Sequence, residues 1–192
     1  MAKAKRKKKF FEVDMPLLKR ETSLQAYETK ELEGRIIKYD LTRFLKGKNT
    51  LIQLKVKVDG EKATSTPREI KLLPYYIRRM MRKGTNYVED SFSTNCKNAQ
   101  IRIKPFLITR RKVSRAVRKA LREKAKEELI KHVKTRDYEK IFEEILKNQL
   151  QKDLSLKLKK TYPLSLCEIR VLKVEKELEK NNSESKKDNK KQ

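Results

Sequence analysis

The residue types best placed to do chemistry in this chain are cations. Arg111, Lys112, Arg115, Arg118, Lys119 and Arg122 fall on one side of a helical wheel, with Arg110 beside them. A guanidinium or ammonium that meets a phosphate releases a condensed counterion, so such a row favours a polyanion over a small metabolite. Arg78, Arg79, Arg82 and Lys83 form a second group. Positive charge also suits the C-terminal end of a helix dipole, so phosphate contact and a solvated helix end are both open readings for these four. A third group, Lys3, Lys5, Arg6, Lys7, Lys8 and Lys9, puts six like charges into the first nine residues. Such a run does not fold alone and reads as a flexible basic arm.

The other chemically capable residues make no constellation. His132 is the only histidine and lies in a lysine-rich helical run, so it reads as solvated or partly buried. Cys96 and Cys167 are far apart, without the paired spacing of a metal knuckle, and read as reduced cytosolic thiols packed as small apolar residues. Isolated carboxylates such as Asp90 and Glu168 need only be surface or strand-pair residues. There is no Gly-rich phosphate loop and no nucleophile elbow. The expectation is a non-enzymatic protein with no cofactor, no metal site and no small-molecule substrate.

The whole composition points the same way. Lys and Arg number 52 against 26 Asp and Glu in 192 residues, a formal net charge of +26. A compact domain this positive repels itself unless a polyanion neutralises it. Hydrophobic residues make up 36%, enough for a real core, while 4 Gly and 5 Pro are too few for a low-complexity chain. No apolar run nears the roughly 20 residues that span a bilayer. The basic start is not followed by a secretory apolar stretch, and no membrane partner is expected.

Patterning along the chain predicts a folded body over residues 10–174, between the arm at 1–9 and a mobile charged tail at 175–192. Phe10, Phe11 and Val13 begin an apolar anchor. Ile36, Ile37 and Tyr39 follow Gly34 as a short β-prone run. Ile52, Leu54, Val56 and Val58 alternate with polar residues as a half-buried strand, and Asp59-Gly60 supplies the positive φ angles of a type I′ hairpin into a return strand at 61–65. A second hairpin joins 88–93 to 99–108 around Asn95 and Asn98. Between the hairpins a short helix starts at Pro74 and stops before Gly84, carrying the second cation group in its last turns.

The next helix is expected from near Thr109, with Val113, Ala116, Val117, Ala120, Leu121 and Ala125 as its apolar side. Tyr138, Ile141, Phe142, Ile145 and Leu146 mark another helix, and Leu150, Leu154 and Leu158 a third, ended by Tyr162-Pro163. Cys167, Ile169 and Val171 alternate as a closing strand. Trp is absent, and no strand carries the aromatic-rich pattern of a base-stacking RNA module. The charges therefore suit backbone grip, which positions a protein without reading bases.

The stretch 73–119, with its two-hairpin layout and IRIKPFLITRRKVSRAVRKALREK, resembles the archaeal and eukaryotic small-subunit ribosomal protein family S-one-e, formerly S-three-A-e. LEGRIIKYDL at 32–41 and KLKKTYPLSLCEIRVLKVE at 157–175 are similar to that family's early and closing strands, in the same order. The length resembles the archaeal branch. Phe10-Phe11 stands where the family has an aromatic pair containing Trp, and Lys97-Asn98 where it has an Asp-Gly turn. No Gly-containing early segment is evident around residues 19–23. The resemblance implies an α+β fold with a mostly antiparallel, barrel-like sheet and flanking helices. It implies a cytoplasmic, ribosome-bound structural protein at the small-subunit platform, near the mRNA exit and the 3′ end of small-subunit rRNA. Its partners would be that rRNA, neighbouring ribosomal proteins and mRNA near the exit. The alternative drawn from charge alone is a DNA-compacting chromatin protein.

Overall fold

The computed structural model describes residues 7–60 and 62–178. The chain is α+β. It opens with a hairpin of β1 (Lys9–Met15) and β2 (Arg20–Ala26), then β3 (Ile36–Asp40). A long hairpin of β4 (Thr50–Asp59) and β5 (Lys62–Leu72) leads into α1 (Pro74–Met80). Two short strands, β6 (Tyr87–Glu89) and β7 (Phe92–Asn95), both pair antiparallel with β8 (Ala99–Thr109). Three helices follow, α2 (Arg115–Lys134), α3 (Tyr138–Leu146) and α4 (Gln149–Lys159), before the last strand, β9 (Leu164–Glu177).

All nine strands form one sheet with the path β2-β1-β5-β9-β8-β6, and β3 joins it through β4. Among the described residues only β1 and β5 pair in parallel. Among the described residues β2 and β6 do not meet, so the sheet is open where a barrel-like closure was expected. The alternating residues predicted for β4 do face inward: Ile52, Leu54 and Val56 are fully buried. Its hairpin turns one residue later than the Asp-Gly template, because Asp59 pairs with Lys62 and Gly60 takes the positive φ of 66°. The return strand runs past the expected end at Ser65, to Leu72.

Strand β9 departs from simple alternation for a visible reason. Lys104 pairs with Val171 but Pro105 with Ile169, which leaves Arg170 as an extra, bulged residue. The bulge shifts the inward set by one, so Ile169, Leu172 and Val174 all join the main core. Val171, expected inside, is only half buried. The strand also continues to Glu177, into the segment read as tail, and the Leu178 N–H reaches the carbonyl of Asn98. Residues 179–192 lie outside the described residues.

Helices α2, α3 and α4 cover one face of the sheet through Leu121, Ala125, Leu129, Val133, Ile141, Phe142, Ile145, Leu150, Leu154 and Leu158. Helix α1 sits on a separate cluster formed with Leu72, Phe106 and Ile108. Glu168 is no surface residue. It is buried, its carboxylate 2.5 Å from Lys48 Nζ, and Lys48 also donates to Asn148 Oδ1 at 2.8 Å. Cys96 is buried, and burial pushes the Cys167 thiol up to about 12, away from an activated nucleophile.

His132 links α2 to α3. Its Nε2 lies 2.7 Å from Glu144 Oε2, and Arg136 pairs with the same carboxylate. Burial, then the Arg136 charge, holds the imidazole below its ordinary value of 6.5, against a smaller opposing pull from Asp153. The proximity of Glu144 alone would argue the other way, but that carboxylate is already shared with Arg136. The folded chain thus keeps His132 neutral while the unfolded chain takes up a proton as pH falls through about 6.5. Stability should therefore drop below that pH. The drop in thermal midpoint between about pH 7.5 and about pH 5.5 should be smaller in His132→Gln than in the wild type; equal drops would rule this out.

Candidate nucleic-acid interface

Two of the three cation groups are brought together by one hydrogen-bonded latch. Thr109, the fully buried last residue of β8, accepts the N–H of Asn86 on its Oγ1 at 3.0 Å. Its hydroxyl reaches the carbonyl of Arg111 at 2.7 Å, and its own N–H donates to the carbonyl of Asn86 at 2.9 Å. The Asn86 side chain then accepts the N–H of Val113 at 2.8 Å. These bonds tie the loop after α1, which carries Arg82 and Lys83, to the loop before α2, which carries Arg110, Arg111 and Lys112. Thr85 Oγ1 donates to the carbonyl of Arg82 at 2.8 Å and tightens the first loop.

Both loops were expected to be helical. Helix α1 ends at Met80 because Met81 turns extended, with ψ of 131°, and its buried anchors Tyr76 and Ile77 have no successor among the exposed residues 81–84. Arg78 and Arg79 therefore occupy its last turn, while Arg82 and Lys83 lie beyond it. Arg79 donates to the carbonyl of Gly47 at 3.0 Å and sits over the Tyr76 ring, so it is partly committed to packing. Helix α2 begins at Arg115, capped by Ser114, whose side chain accepts the Val117 N–H. Its buried stripe is Leu121, Ala125, Leu129 and Val133, whereas Ala116 and Ala120 are exposed. Over the first two turns of α2, Val117 and Leu121 face the core while Arg115, Lys119 and Arg122 are exposed.

Arg115, Arg118, Lys119 and Arg122 line one cleft of about 360 Å³ against Tyr87, Val88 and Glu89 of β6. No acidic residue lies in the first turn of α2, where carboxylates are normally favoured. Lys119 approaches Glu123 at 3.8 Å. By contrast, Arg78, Arg82, Lys83, Arg110, Arg111, Lys112, Arg115, Arg118 and Arg122 form no ion pair with a described carboxylate. The acidic partners sit elsewhere, as in Glu128 with Lys157 and Lys131, whose hydrogen bond to Lys157 holds the Glu128 carboxyl below the usual range.

The described members of the third group, Lys7, Lys8 and Lys9, are not part of this cluster. Lys3, Lys5 and Arg6 lie outside the described residues. Lys7 and Lys8 precede β1, Lys8 lies 5.6 Å from the Tyr27 ring, and Lys9, expected in the arm, already pairs with Ala26 in the β1–β2 hairpin. That hairpin and β6 stand at opposite ends of the strand path.

A further basic surface went unread in the sequence. The open face of β5, β9 and β8 forms a groove of about 690 Å³ that includes Lys71, Lys104 and Lys173, none paired with a described carboxylate. Arg102 pairs with Glu175 at 2.7 Å, and the bulged Arg170 pairs with Glu89 at 3.0 Å. The polar partners of the alternation in β8 were the available signal. Among the described residues no group of three or more His, Cys, Asp and Glu is placed to hold a metal, and no helix is long and apolar enough to cross a membrane.

The latch makes a direct prediction. Thr109→Val leaves the Asn86 N–H without its acceptor inside the fold and should cost about 1–3 kcal/mol in urea unfolding. Thr109→Ser, which keeps the hydroxyl, should retain most of that stability. Equal stability of all three proteins would show that the latch carries no energy.

Comparison with known proteins meets this geometry from the other side. A sequence profile of the ribosomal S3Ae family matches residues 3–177. The small ribosomal subunit protein eS1 of Pyrobaculum aerophilum is 30% identical over 138 residues, covering 71% of this chain and 62% of that protein. The eS1 protein of Nanoarchaeum equitans is 27% identical over 168 residues, covering 82% of this chain and 84% of the relative. That of Pyrobaculum neutrophilum is 27% identical over 154 residues, with 78% and 69% covered. The chain therefore spans less than two thirds of the Pyrobaculum aerophilum relative and most of the Nanoarchaeum equitans one. A match running from the basic start to the end of β9 takes in every described strand and helix, and on it the chain belongs to the ribosomal S3Ae family.

Proposed function

We propose that this chain is a structural, non-catalytic component of the small ribosomal subunit that holds folded rRNA by its phosphates. The names of its relatives support the assembly, and the unpaired cations gathered around the Asn86–Thr109 latch support the chemistry. The latter is the observation that carries the reading. A surface on which Arg115, Arg118 and Arg122 form no ion pair with a described carboxylate, the nearby Glu89 being held by Arg170, keeps net positive charge for a polyanion. In this reading Arg110, Arg111 and Lys112 extend the same contact, and Arg78, Arg82 and Lys83 approach from the α1 loop. Lys3, Lys5, Arg6, Lys7, Lys8 and Lys9 make a separate phosphate contact in this reading, with Lys9 held by the β1–β2 hairpin. The place is the platform near the mRNA exit, beside other ribosomal proteins and the mRNA path, in the cytoplasm.

The test is a filter-binding titration of small-subunit rRNA against salt. Neutralising Arg115, Arg118 and Arg122 together to Gln should weaken binding and flatten the slope of log K against log salt by about two to three, roughly one per lost phosphate contact. An unchanged slope would remove α2 from the interface. In a sucrose gradient the chain should travel with the small subunit. Equal affinity for duplex DNA, with sedimentation alongside the nucleoid, would favour chromatin compaction instead.

A further inference from the structure

We propose that the outward face of the β1–β2 hairpin stacks one unpaired base of single-stranded RNA on the ring of Phe10, with Lys8 on the adjoining phosphate. The proposal rests on the RNA-binding reading above and adds a base contact to its phosphate grip.

The first observation is where the ring points. In the sequence Phe10 reads as part of an apolar anchor with Phe11 and Val13. Side chains alternate across a strand. Val13 is fully buried with Ala26 and Leu32, and Phe11 packs against them. Phe10 therefore turns to the other face, where it is 68% exposed, although an apolar ring gains from burial. Among the described residues no ring or cation stacks on it. The strand beneath it is fixed: β1 pairs with β2 from Lys9 to Met15 and with β5 at Val13 and Asp14.

Second, a cation stands beside the ring. Lys8 precedes Phe10 by two positions, the spacing that returns extended chain to the same face. Its ammonium lies 5.6 Å from the centroid of the Tyr27 ring, just past the Lys9–Ala26 pair that ends the hairpin. Tyr27 thus carries the ammonium, and Phe10 is left as the open ring.

Third, Gln25 lies directly opposite Phe10 in the register, about 5 Å across the pair. Arg35 Nη1 donates to the Gln25 carbonyl at 2.8 Å, and β2 ends the strand path, so a second cation stands at the sheet edge beside the ring. Neither Lys8 nor Arg35 pairs with a described carboxylate. Two nearby carboxylates are engaged: Glu31 accepts the N–H of Tyr27 at 3.0 Å, and Glu33 that of Val58 at 2.7 Å. Glu12, two residues after Phe10, shares its face and repels phosphate on that side. The backbone therefore runs toward Lys8, and the contact is limited to one base.

The combination selects the ligand. Lysine alone would take any anion, and a ring alone any apolar group. Adjacent on one face, they fit a nucleotide, whose base offers a π-face and whose phosphate offers charge. A duplex keeps its bases stacked inside, so the site discriminates by strand state, not by sequence.

The chain has no Trp, so Phe10→Trp places a lone fluorescent reporter at the ring, on a face away from the core. The full chain is titrated with an oligo(U) RNA of about twelve nucleotides, an RNA duplex of equal length and an abasic strand of that length, reading Trp emission and probe anisotropy together. Oligo(U) should quench the emission, while duplex and abasic strand bind and leave it unchanged. Adding Lys8→Gln should flatten the salt slope of the quenching by about 0.7, the share of one single-strand phosphate contact. In the background Arg115→Gln, Arg118→Gln and Arg122→Gln, which keeps α2 from masking the site, Phe10→Leu should lose about tenfold in affinity for oligo(U) and stay within about twofold on the duplex. Three outcomes overturn the proposal and leave the phosphate grip standing: bound oligo(U) without quenching, equal quenching by duplex, or undiminished oligo(U) binding by Phe10→Leu. Failure of the wild type to bind any of the three probes overturns both readings. Emission unmoved by RNA but shifted to the blue by purified small-subunit proteins overturns it too, and gives the ring to a protein neighbour.

Discussion

The insertion of β9 between β5 and β8 is the constraint on which the remaining architecture depends. The strands before α1 form one set, and β6 to β8 form another. In the path β2-β1-β5-β9-β8-β6 only β9 touches both. It pairs with β8 along nearly its whole length, and Val171, Leu172 and Lys173 register with β5 on the other side. Because β9 follows three helices, those helices must fold back across the sheet to deliver it. That journey places Leu121, Phe142 and Leu154 over a single core with Ile70 and Ile103. The pairing is thus a long-range contact that fixes the helical layer and the sheet at once, and topologies dominated by such contacts form slowly.

The same strand shapes the basic surface. Its bulges leave Arg170 and Glu175 as extra residues, and bulging sharpens the local twist of a ladder. Arg170 is re-aimed at Glu89, while Glu175 meets Arg102. Two carboxylates are thereby tied up by arginines, and Lys71, Lys104 and Lys173 share the groove with Glu69 and Asp90 without a close ion pair to a described carboxylate. Charge distribution, not charge total, separates the cationic faces from the scaffold. Around α2 the acidic residues Glu128 and Glu144 lie toward its C-terminal half, where they meet Lys157, His132 and Arg136. The N-terminal turns stay bare.

What the sequence disclosed, and what it hid, follows from which interactions are local. The alternation in β4, the Pro74 start of α1 and the leucine spacing of α4 are imprinted within a few residues, and each matches the structure. Strand β2 was not readable because Arg20, Glu21, Thr22 and Ser23 carry almost no apolar signal; it is held by its pairing with β1. Val171 was misassigned because a bulge is set by the partner strand. The start of α2 was placed too early because Val113, Ala116 and Ala120 mimic a buried stripe, while the latch at Thr109 keeps residues 110–114 out of helix. The cation groups were legible one by one as charge. Their convergence was not, because it depends on Asn86 meeting Thr109 across 23 positions.

The bare cationic turns of α2 have a consequence for the life of the chain before assembly. Attraction to phosphate is long-ranged and indifferent to sequence. A newly released copy would meet messenger, transfer RNA and chromosome with equal appetite. On the proposed reading, what sorts the right companion from the wrong ones is fit: a surface whose phosphates match the spacing of the two loops tied by Asn86 and Thr109 engages their cations together. Elsewhere the grip is partial and exchanges away quickly. Delivery would on that reading be an editing process, in which abundant polyanion supplies the competition and matching shape decides which companion is kept.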